Sequence, residues 1–419
     1  MTSAADRVIG VTTGYRRQMS FAPHDGLIDV LIVGGGNAGI SAAARLIRHG
    51  ITTVAVVEPQ DVHTYRPLLS YVGGGQASMR SAERTQRSVT PRGCTWIRDS
   101  AVVVDPDEKA VRCESGRTYH YRDLIIACGL VPDDQALPGI ETAVATPAVA
   151  SNYLNSADKT WELVRSMTPG SHAVFTVPRP PVSCTGTTIK PLFLAAAHWK
   201  RAGYLPGVDI SLAIDRPALL GVRALDERLN RHLEKLGVRV LYDATVTSLM
   251  PEQRRLTVSR SGEATETVSY DMLHLVPPFR GPDWLTSSGL AAEGSHGLAD
   301  VDPRTFQHRS HPQVWAVGDG ATVDTDPSGG ALRRQVSILV DNLLAARSNG
   351  SFSKYDGYTV APIATDAHHL IAGEFDRSGT VTSSLPSFVD PLKPRRTAWA
   401  FDRYALPLIY WKLILNGRL

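Results

Sequence analysis

Three glycines, Gly34, Gly36 and Gly39, spell G-x-G-x-x-G in the segment Gly34-Gly35-Gly36-Asn37-Ala38-Gly39. A β-branched run, Ile28-Asp29-Val30-Leu31-Ile32-Val33, precedes them, and an alanine-rich stretch from Ile40 to His49 follows. In that context the residue types have a physical task. The first glycine makes a tight turn, the second lets a pyrophosphate reach the backbone, and the third packs helix on strand. Asn37 and Ala38 then open a helix whose free N–H groups and positive dipole end face the phosphates. A second strand, Thr53-Val54-Ala55-Val56-Val57, ends at Glu58, at the spacing of about 20 residues expected of a ribose-binding acid. Glu58 can accept from both ribose hydroxyls, which argues against a 2′-phosphate. This βαβ unit predicts a dinucleotide, FAD or NAD.

Two later segments point to FAD. Leu124-Ile125-Ile126-Ala127-Cys128-Gly129 resembles the second flavoprotein fingerprint, a hydrophobic run closing on Ala-Thr-Gly. His311-Pro312-Gln313-Val314-Trp315-Ala316-Val317-Gly318-Asp319 resembles the third, in which the aspartate holds the ribityl chain. The expected cofactor-binding set is therefore Gly34, Gly36, Asn37, Ala38, Gly39, Glu58, Arg66, Ala101, Ala127, Gly129, Gly318 and Asp319. No metal site is expected, since none of the four cysteines pairs as C-x-x-C.

The elements that must position these residues repeat strand–helix–strand. A second such unit combines Ala173-Val174-Phe175-Thr176-Val177, a helical Lys190 to Arg201, and Asp209-Ile210-Ser211-Leu212-Ala213-Ile214. The fold class is α/β, with two doubly wound Rossmann-like domains. Residues 28–150 and 298–350 form the expected FAD domain, 151–297 the second domain, and 351–419 a C-terminal region behind a short extension, 1–27. The second domain is degenerate as a nucleotide site. Its first strand leads into Pro178-Arg179-Pro180-Pro181-Val182-Ser183-Cys184-Thr185-Gly186, where prolines remove N–H donors. A pyridine nucleotide is disfavoured there, and a cysteine stands in its place.

Composition narrows the function classes. The chain has 419 residues, 43% hydrophobic and 20% charged, with a formal charge of +3. That surplus is too small for a dedicated nucleic-acid binder. Four cysteines exclude a disulfide scaffold and point to the reducing cytoplasm. No stretch is long and apolar enough to cross a bilayer. Arg16-Arg17 lacks the apolar core of a twin-arginine signal.

The chain resembles the sulfide:quinone oxidoreductases from about residue 28 almost to its end. The segments that carry the likeness are Val57-Glu58-Pro59 with His63, Tyr65 and Pro67, then Pro181-Val182-Ser183-Cys184-Thr185-Gly186, then Tyr270-Asp271-Met272-Leu273-His274. Val301-Asp302, Gln307-His308, Lys354-Tyr355-Asp356-Gly357-Tyr358-Thr359 and Glu374-Phe375-Asp376 complete it. The resemblance implies oxidation of sulfide by two cysteines beside the flavin, with electrons passed to a quinone. Cys184 matches the first cysteine and is the expected catalytic residue, a thiolate if Lys190 or the helix start near Thr187 lowers its pKa. The second should follow Tyr358-Thr359, where this chain reads Val360-Ala361-Pro362. A lysine that the family places before the flavin-facing helix is replaced within Asp324-Thr325-Asp326-Pro327-Ser328-Gly329-Gly330, by Pro327. Cys128 reads as a structural substitution in its fingerprint.

Histidines offer acid–base candidates of lower rank. His63 reads as a loop contact near the cofactor and His198 as a helix-surface residue. His368-His369 lies near the missing cysteine position and could line a cavity. From residue 391 onward Lys393, Arg395, Arg396, Arg403, Lys412 and Arg418 stand against Asp402 alone, interleaved with aromatic and aliphatic residues. That tail fits peripheral membrane contact, and by resemblance Phe401, Tyr404 and Tyr410 become quinone-side candidates. The competing reading is a helix packed on the FAD domain or in a homodimer. The expected function is two-electron oxidation of a small, sulfur-containing donor with electrons leaving through FAD to a quinone. Two alternatives stay open: a different organic substrate with oxygen or a carrier as acceptor, and a flavin-binding sensor or subunit without catalysis.

Overall fold

The computed structural model describes residues 26–260, 262, 264–382 and 390–419. Arg16-Arg17 and nearly all of the expected extension lie outside the described residues.

Ile28–Val33 is central in a seven-stranded sheet, flanked in parallel by Val54–Val57 and Thr118–Ile126. Cys94–Ile97 adds parallel to the outer side of Val54–Val57, and Val314–Ala316 adds parallel to Thr118–Ile126. Val30, Leu31 and Ile32 are fully buried, as strands covered on both faces must be, and this is why the sequence there is a continuous apolar run. The helix Asn37–Arg48 packs on this sheet beside the long helix Gly329–Arg347. Ala42, Ala43 and Leu46 meet Leu339, Val340 and Leu343 in one core. Residues distant in sequence thus close a single α/β layer.

The second sheet is also parallel, in the order Val149–Ala150, Met272–His274, His172–Val177, Asp209–Ile214, Arg239–Leu241. The helix Lys190–Arg201 buries Leu192, Phe193, Ala196 and Trp199 against it. Sequence patterning anticipated both layers. It did not anticipate two antiparallel additions. One is the three-stranded sheet of Ala244–Met250, Arg255–Arg260 and Glu266–Ser269. The other is the hairpin Thr359–Ala364 with Leu370–Phe375, in which Ala361 pairs with Gly373.

The tail runs as Arg396–Ala400, a π turn Phe401–Ala405, the helix Leu406–Lys412 and a last turn Ile414–Asn416. Tyr410 and Leu415 are buried with Tyr65, Leu68, Leu69 and Tyr71 of the first half. The tail is therefore packed on the dinucleotide domain. Its outer side leaves Phe401, Tyr404 and Leu408 more than half exposed, at 52%, 56% and 59%. No helix among the described residues is long and apolar enough to cross a membrane.

Candidate active site

Four candidate cofactor segments emerge at the same edge of the first sheet, because each follows the carboxyl end of a parallel strand. Gly34–Gly39 follows Ile28–Val33, Glu58 follows Val54–Val57, Ala127–Gly129 follows Thr118–Ile126, and Gly318-Asp319 follows Val314–Ala316. That edge, at the strand-order switch, is where α/β sheets bind ligands.

Backbone contacts explain the glycines. Gly34 has φ +108°, and a Cβ there would lie 2.3 Å from the Ala127 carbonyl oxygen. A Cβ on Gly39 would lie 1.9 Å from the Gly34 carbonyl oxygen. Gly36 differs: a Cβ there would meet nothing within 4 Å. Its side opens to free space at the start of the helix Asn37–Arg48, which has no side-chain cap and no acid in its first turn. Uncapped N–H groups beside an open lane fit a pyrophosphate. The Glu58 carboxylate accepts from Gly35 N–H at 2.7 Å and Gln60 N–H at 2.8 Å, which fixes its orientation at the rim. The strand Ala101–Asp105 begins at half-buried Ala101, which pairs with Cys113. Arg66 donates to the Tyr153 carbonyl at 2.8 Å. Asp319 feels the Arg66 charge and a hydrogen bond from Ser183, although burial pushes its carboxyl upward overall. The Ser183 side chain thus sets Asp319 beside the cysteine turn.

Cys184 sits at φ +55° just before the short helix Thr185–Thr188. Left-handed backbone is uncommon for a residue with a side chain and often marks a functional turn. The Cys184 carbonyl accepts from Thr187 N–H at 3.0 Å and from its hydroxyl at 2.7 Å. The Tyr153 hydroxyl reaches the Thr187 hydroxyl at 2.7 Å and the Ser183 carbonyl at 3.3 Å. Burial pushes the Cys184 thiol up to about 12, and the Asp326 charge adds to it. Thr187 and Lys190 oppose this without overcoming it. The expectation that Lys190 or the helix start makes a ready thiolate is thus corrected. Lys190 is fully buried and paired with Asp402 at 2.9 Å, and a four-residue helix offers little dipole.

Asp326 is a residue that sequence reasoning missed. Its carboxylate accepts the Thr185 N–H at 3.3 Å and the Thr185 hydroxyl, and burial raises its pKa to about 6. Arg216 donates to the same Thr185 hydroxyl at 3.1 Å and to the Pro178 carbonyl through Nε and Nη2. Arg216 thereby bonds across the carboxyl ends of two second-sheet strands, where a second dinucleotide would have to reach. The Asp326 carbonyl accepts from Thr359 of the late hairpin at 2.6 Å. Only the adjacency of Asp326 to Pro327 hinted at its place; its surroundings, Thr185, Arg216 and Thr359, come from three separate parts of the chain.

That hairpin carries Ala361, 4% exposed. A Cβ built on Gly186 would lie 3.0 Å from the Ala361 Cβ. Ala361, where the resemblance leads one to expect a second thiol, therefore lies against the Cys184 turn. Cys113 is buried in the first half, while Cys94 and Cys128 also lie there, each partly buried.

The histidines separate. His63 bonds the Gly35 carbonyl at 3.0 Å and the Tyr410 hydroxyl at 2.5 Å, and burial lowers its pKa. It braces the glycine turn against the tail. Tyr410 is buried in that contact, unlike Phe401 and Tyr404. His198 packs edge-on to Trp161. His369 pairs with Asp366 at 2.9 Å, and His368 packs on Trp399. Among the described residues no group of three or more His, Cys, Asp or Glu is arranged to hold a metal.

Comparison with known proteins agrees with this architecture. The pyridine nucleotide-disulphide oxidoreductase family model matches residues 28–168. The mitochondrial sulfide:quinone oxidoreductase of Mus musculus is 33% identical over 395 residues, covering 93% of this chain and 86% of that one. That of Dictyostelium discoideum is 31% identical, with the same coverage. The solved sulfide:quinone oxidoreductase of Aquifex aeolicus superposes with a TM-score of 0.78 at 17% identity, over 93% of this chain and 92% of that one. The cofactor is FAD, and the open lane at Gly36 fits it.

Proposed function

The chain belongs to the sulfide:quinone oxidoreductase family and is an FAD-dependent oxidoreductase, and on that premise we propose that it oxidises a small sulfur-containing donor by two electrons and passes them to a quinone. The observation that carries this reading is Cys184, held at a left-handed turn that Thr187 and Tyr153 fix in place. FAD, when bound, accepts the electron pair and releases it to the acceptor. The chain's own residues do the rest. Gly34, Gly36, Asn37, Ala38 and Gly39 receive the pyrophosphate, and Glu58 the ribose. Arg66, Ala101, Ala127, Gly129, Gly318 and Asp319 complete the seat. Thr187 and Tyr153 fix the cysteine turn, and burial, aided by the Asp326 charge, holds Cys184 protonated.

With Ala361 in place of a second thiol, a sulfur atom taken from the donor has one protein sulfur to join. Cys184 would be that carrier, and a disulfide between two protein cysteines plays no part. The tail supports the acceptor side: Phe401, Tyr404 and Leu408 form an exposed apolar edge suited to a lipid surface that dissolves quinone. Anaerobic mixing with sulfide, followed by the visible flavin band, tests the reading. Bleaching supports it; a band that stays oxidised rejects sulfide as donor.

A second reading is favoured by the thiol held up at about 12. In it an organic donor is oxidised without sulfur transfer to Cys184. Cys184→Ser separates the two, because it abolishes turnover in the first and spares it in the second.

A further inference from the structure

The C-terminal tail reaches the dinucleotide turn through one buried chain of hydrogen bonds. Tyr410, in the helix Leu406–Lys412, and His63 are both buried. The Tyr410 hydroxyl lies 2.5 Å from His63 Nε2, and His63 Nδ1 lies 3.0 Å from the Gly35 carbonyl oxygen. Gln86 Nε2 donates to the same oxygen at 3.0 Å, while the Gly35 N–H donates to Glu58 at 2.7 Å. Gly35 stands between the first two glycines of the motif, and both its carbonyl and its N–H are held.

The chemistry of the ring sets the direction of each bond. A carbonyl oxygen only accepts, so Nδ1 carries the proton. Burial lowers the His63 pKa and favours the neutral ring, which leaves Nε2 to accept from the tyrosine hydroxyl. In a neutral imidazole the partner of one nitrogen decides where the proton sits. Without the hydroxyl the opposite tautomer becomes available, and it turns a lone pair on Nδ1 toward the Gly35 oxygen. The consequence crosses the peptide bond. The Gly35 C=O and the Gly36 N–H belong to one planar trans unit and point in opposite directions. With the oxygen drawn to His63 and Gln86, the Gly36 N–H faces away from them, at the glycine whose side is open.

Tyr410 is kept in register by anchors on both sides of it. Before it, Asp402 accepts from buried Lys190 at 2.9 Å and from the Tyr71 hydroxyl at 2.6 Å. After it, Gly417, at φ +61°, brings the last turn against the helix Asn37–Arg48. A Cβ on Gly417 would lie 2.7 Å from the Arg45 backbone nitrogen. The Tyr65 ring packs on the Tyr410 ring with 4.3 Å between centres.

We infer that Tyr410 is a positioning residue for FAD: acting through the His63 tautomer, it holds the Gly35–Gly36 peptide with its N–H toward the pyrophosphate, which makes the C-terminal tail part of the cofactor seat. The inference rests on FAD as the cofactor and on its pyrophosphate lying at the glycine turn. It does not depend on the donor or the acceptor.

The test is the dissociation constant of FAD from the full chain, read as flavin absorbance retained on ultrafiltration at graded FAD concentrations. Tyr410→Phe keeps the ring and removes only the hydroxyl. It is expected to raise the constant by at least about threefold, the scale of one hydrogen bond, and a smaller rise overturns the inference. His63→Leu is expected to do the same. Adding Tyr410→Phe to it should then change the constant by less than about threefold, because the route through the ring is gone; a larger change means another route and overturns the inference. Tyr65→Phe removes a neighbouring hydroxyl of the same aromatic cluster and should stay below that bound. A loss equal to that of Tyr410→Phe would assign the effect to tail packing and overturn it too. The phosphorus resonances of bound FAD give a direct signature. They are expected to shift in Tyr410→Phe and to hold in Tyr65→Phe; resonances that Tyr410→Phe leaves unmoved overturn the inference. These results with a flavin that sulfide leaves oxidised would remove the sulfide donor and keep the tail in the FAD seat.

Discussion

Ala361 stands against Gly186: a Cβ added to the glycine would lie 3.0 Å from that of the alanine, two residues from Cys184 in the chain. A late hairpin and the cysteine turn are thereby brought together, with a methyl group at the position expected from the resemblance to hold a second thiol.

Ala361→Cys should therefore restore a pair. Two fewer thiols than in the reduced form should titrate after mild oxidation, and sulfide should bleach the flavin at least tenfold faster than in the wild type. The added sulfur costs about 1 kcal/mol or more in a packed core, so melting temperature is recorded alongside. Unchanged thiol counts would show that the two positions do not reach each other.

Gly36→Ala and Gly39→Ala should part ways. At Gly36 a methyl group meets no protein atom within 4 Å, so the fold holds while FAD affinity falls at least tenfold, about 1.4 kcal/mol. At Gly39 it would meet the Gly34 carbonyl at 1.9 Å, and the turn itself fails. Far-ultraviolet circular dichroism with flavin titration distinguishes the outcomes.

Asp326 makes stability depend on pH in a stated direction. Its folded-state pKa, about 6, lies above the ordinary 3.8, so folding favours its protonated form. That contribution is complete below about pH 4 and is lost as pH rises through about 6. Asp326→Asn should stabilise the protein by roughly 1–3 kcal/mol at pH 8 and leave it unchanged at pH 4. Denaturant titrations at the two pH values check the sign.

Removing the acid should also free the thiol. The Asp326 charge helps hold Cys184 up at about 12, so Asp326→Asn should label faster with iodoacetamide at pH 8, while Asp326→Glu should stay near the wild-type rate.

For the tail, Phe401→Asp with Leu408→Asp should leave the melting temperature within about 1 °C, since both side chains are exposed. The same change should weaken co-sedimentation with anionic phospholipid vesicles several-fold. Equal sedimentation would detach the exposed edge from any lipid contact.

Much of this protein was determined by local sequence. A β-branched run, three spaced glycines and Glu58 specify a βαβ unit because its pattern is local, as is the steric demand of Gly39 on the Gly34 carbonyl; the demand at Gly34 comes from distant Ala127. The helix Lys190–Arg201 and the strand Asp209–Ile214 were legible to the residue, since their apolar content is continuous. The environment of Cys184 was not legible. Lys190 reads from sequence as a cation near a thiol, and the fold gives it instead to Asp402, 212 positions away. Asp326 reads as a loop acid, and the fold sets it, partly buried, against Thr185 and Arg216 with its carbonyl accepting from Thr359. Tyr410 reads as a candidate for the acceptor side, and the fold seals it onto His63. Charge and proton affinity depend on desolvation and on partners drawn from several elements, and those exist only once the chain has closed on itself.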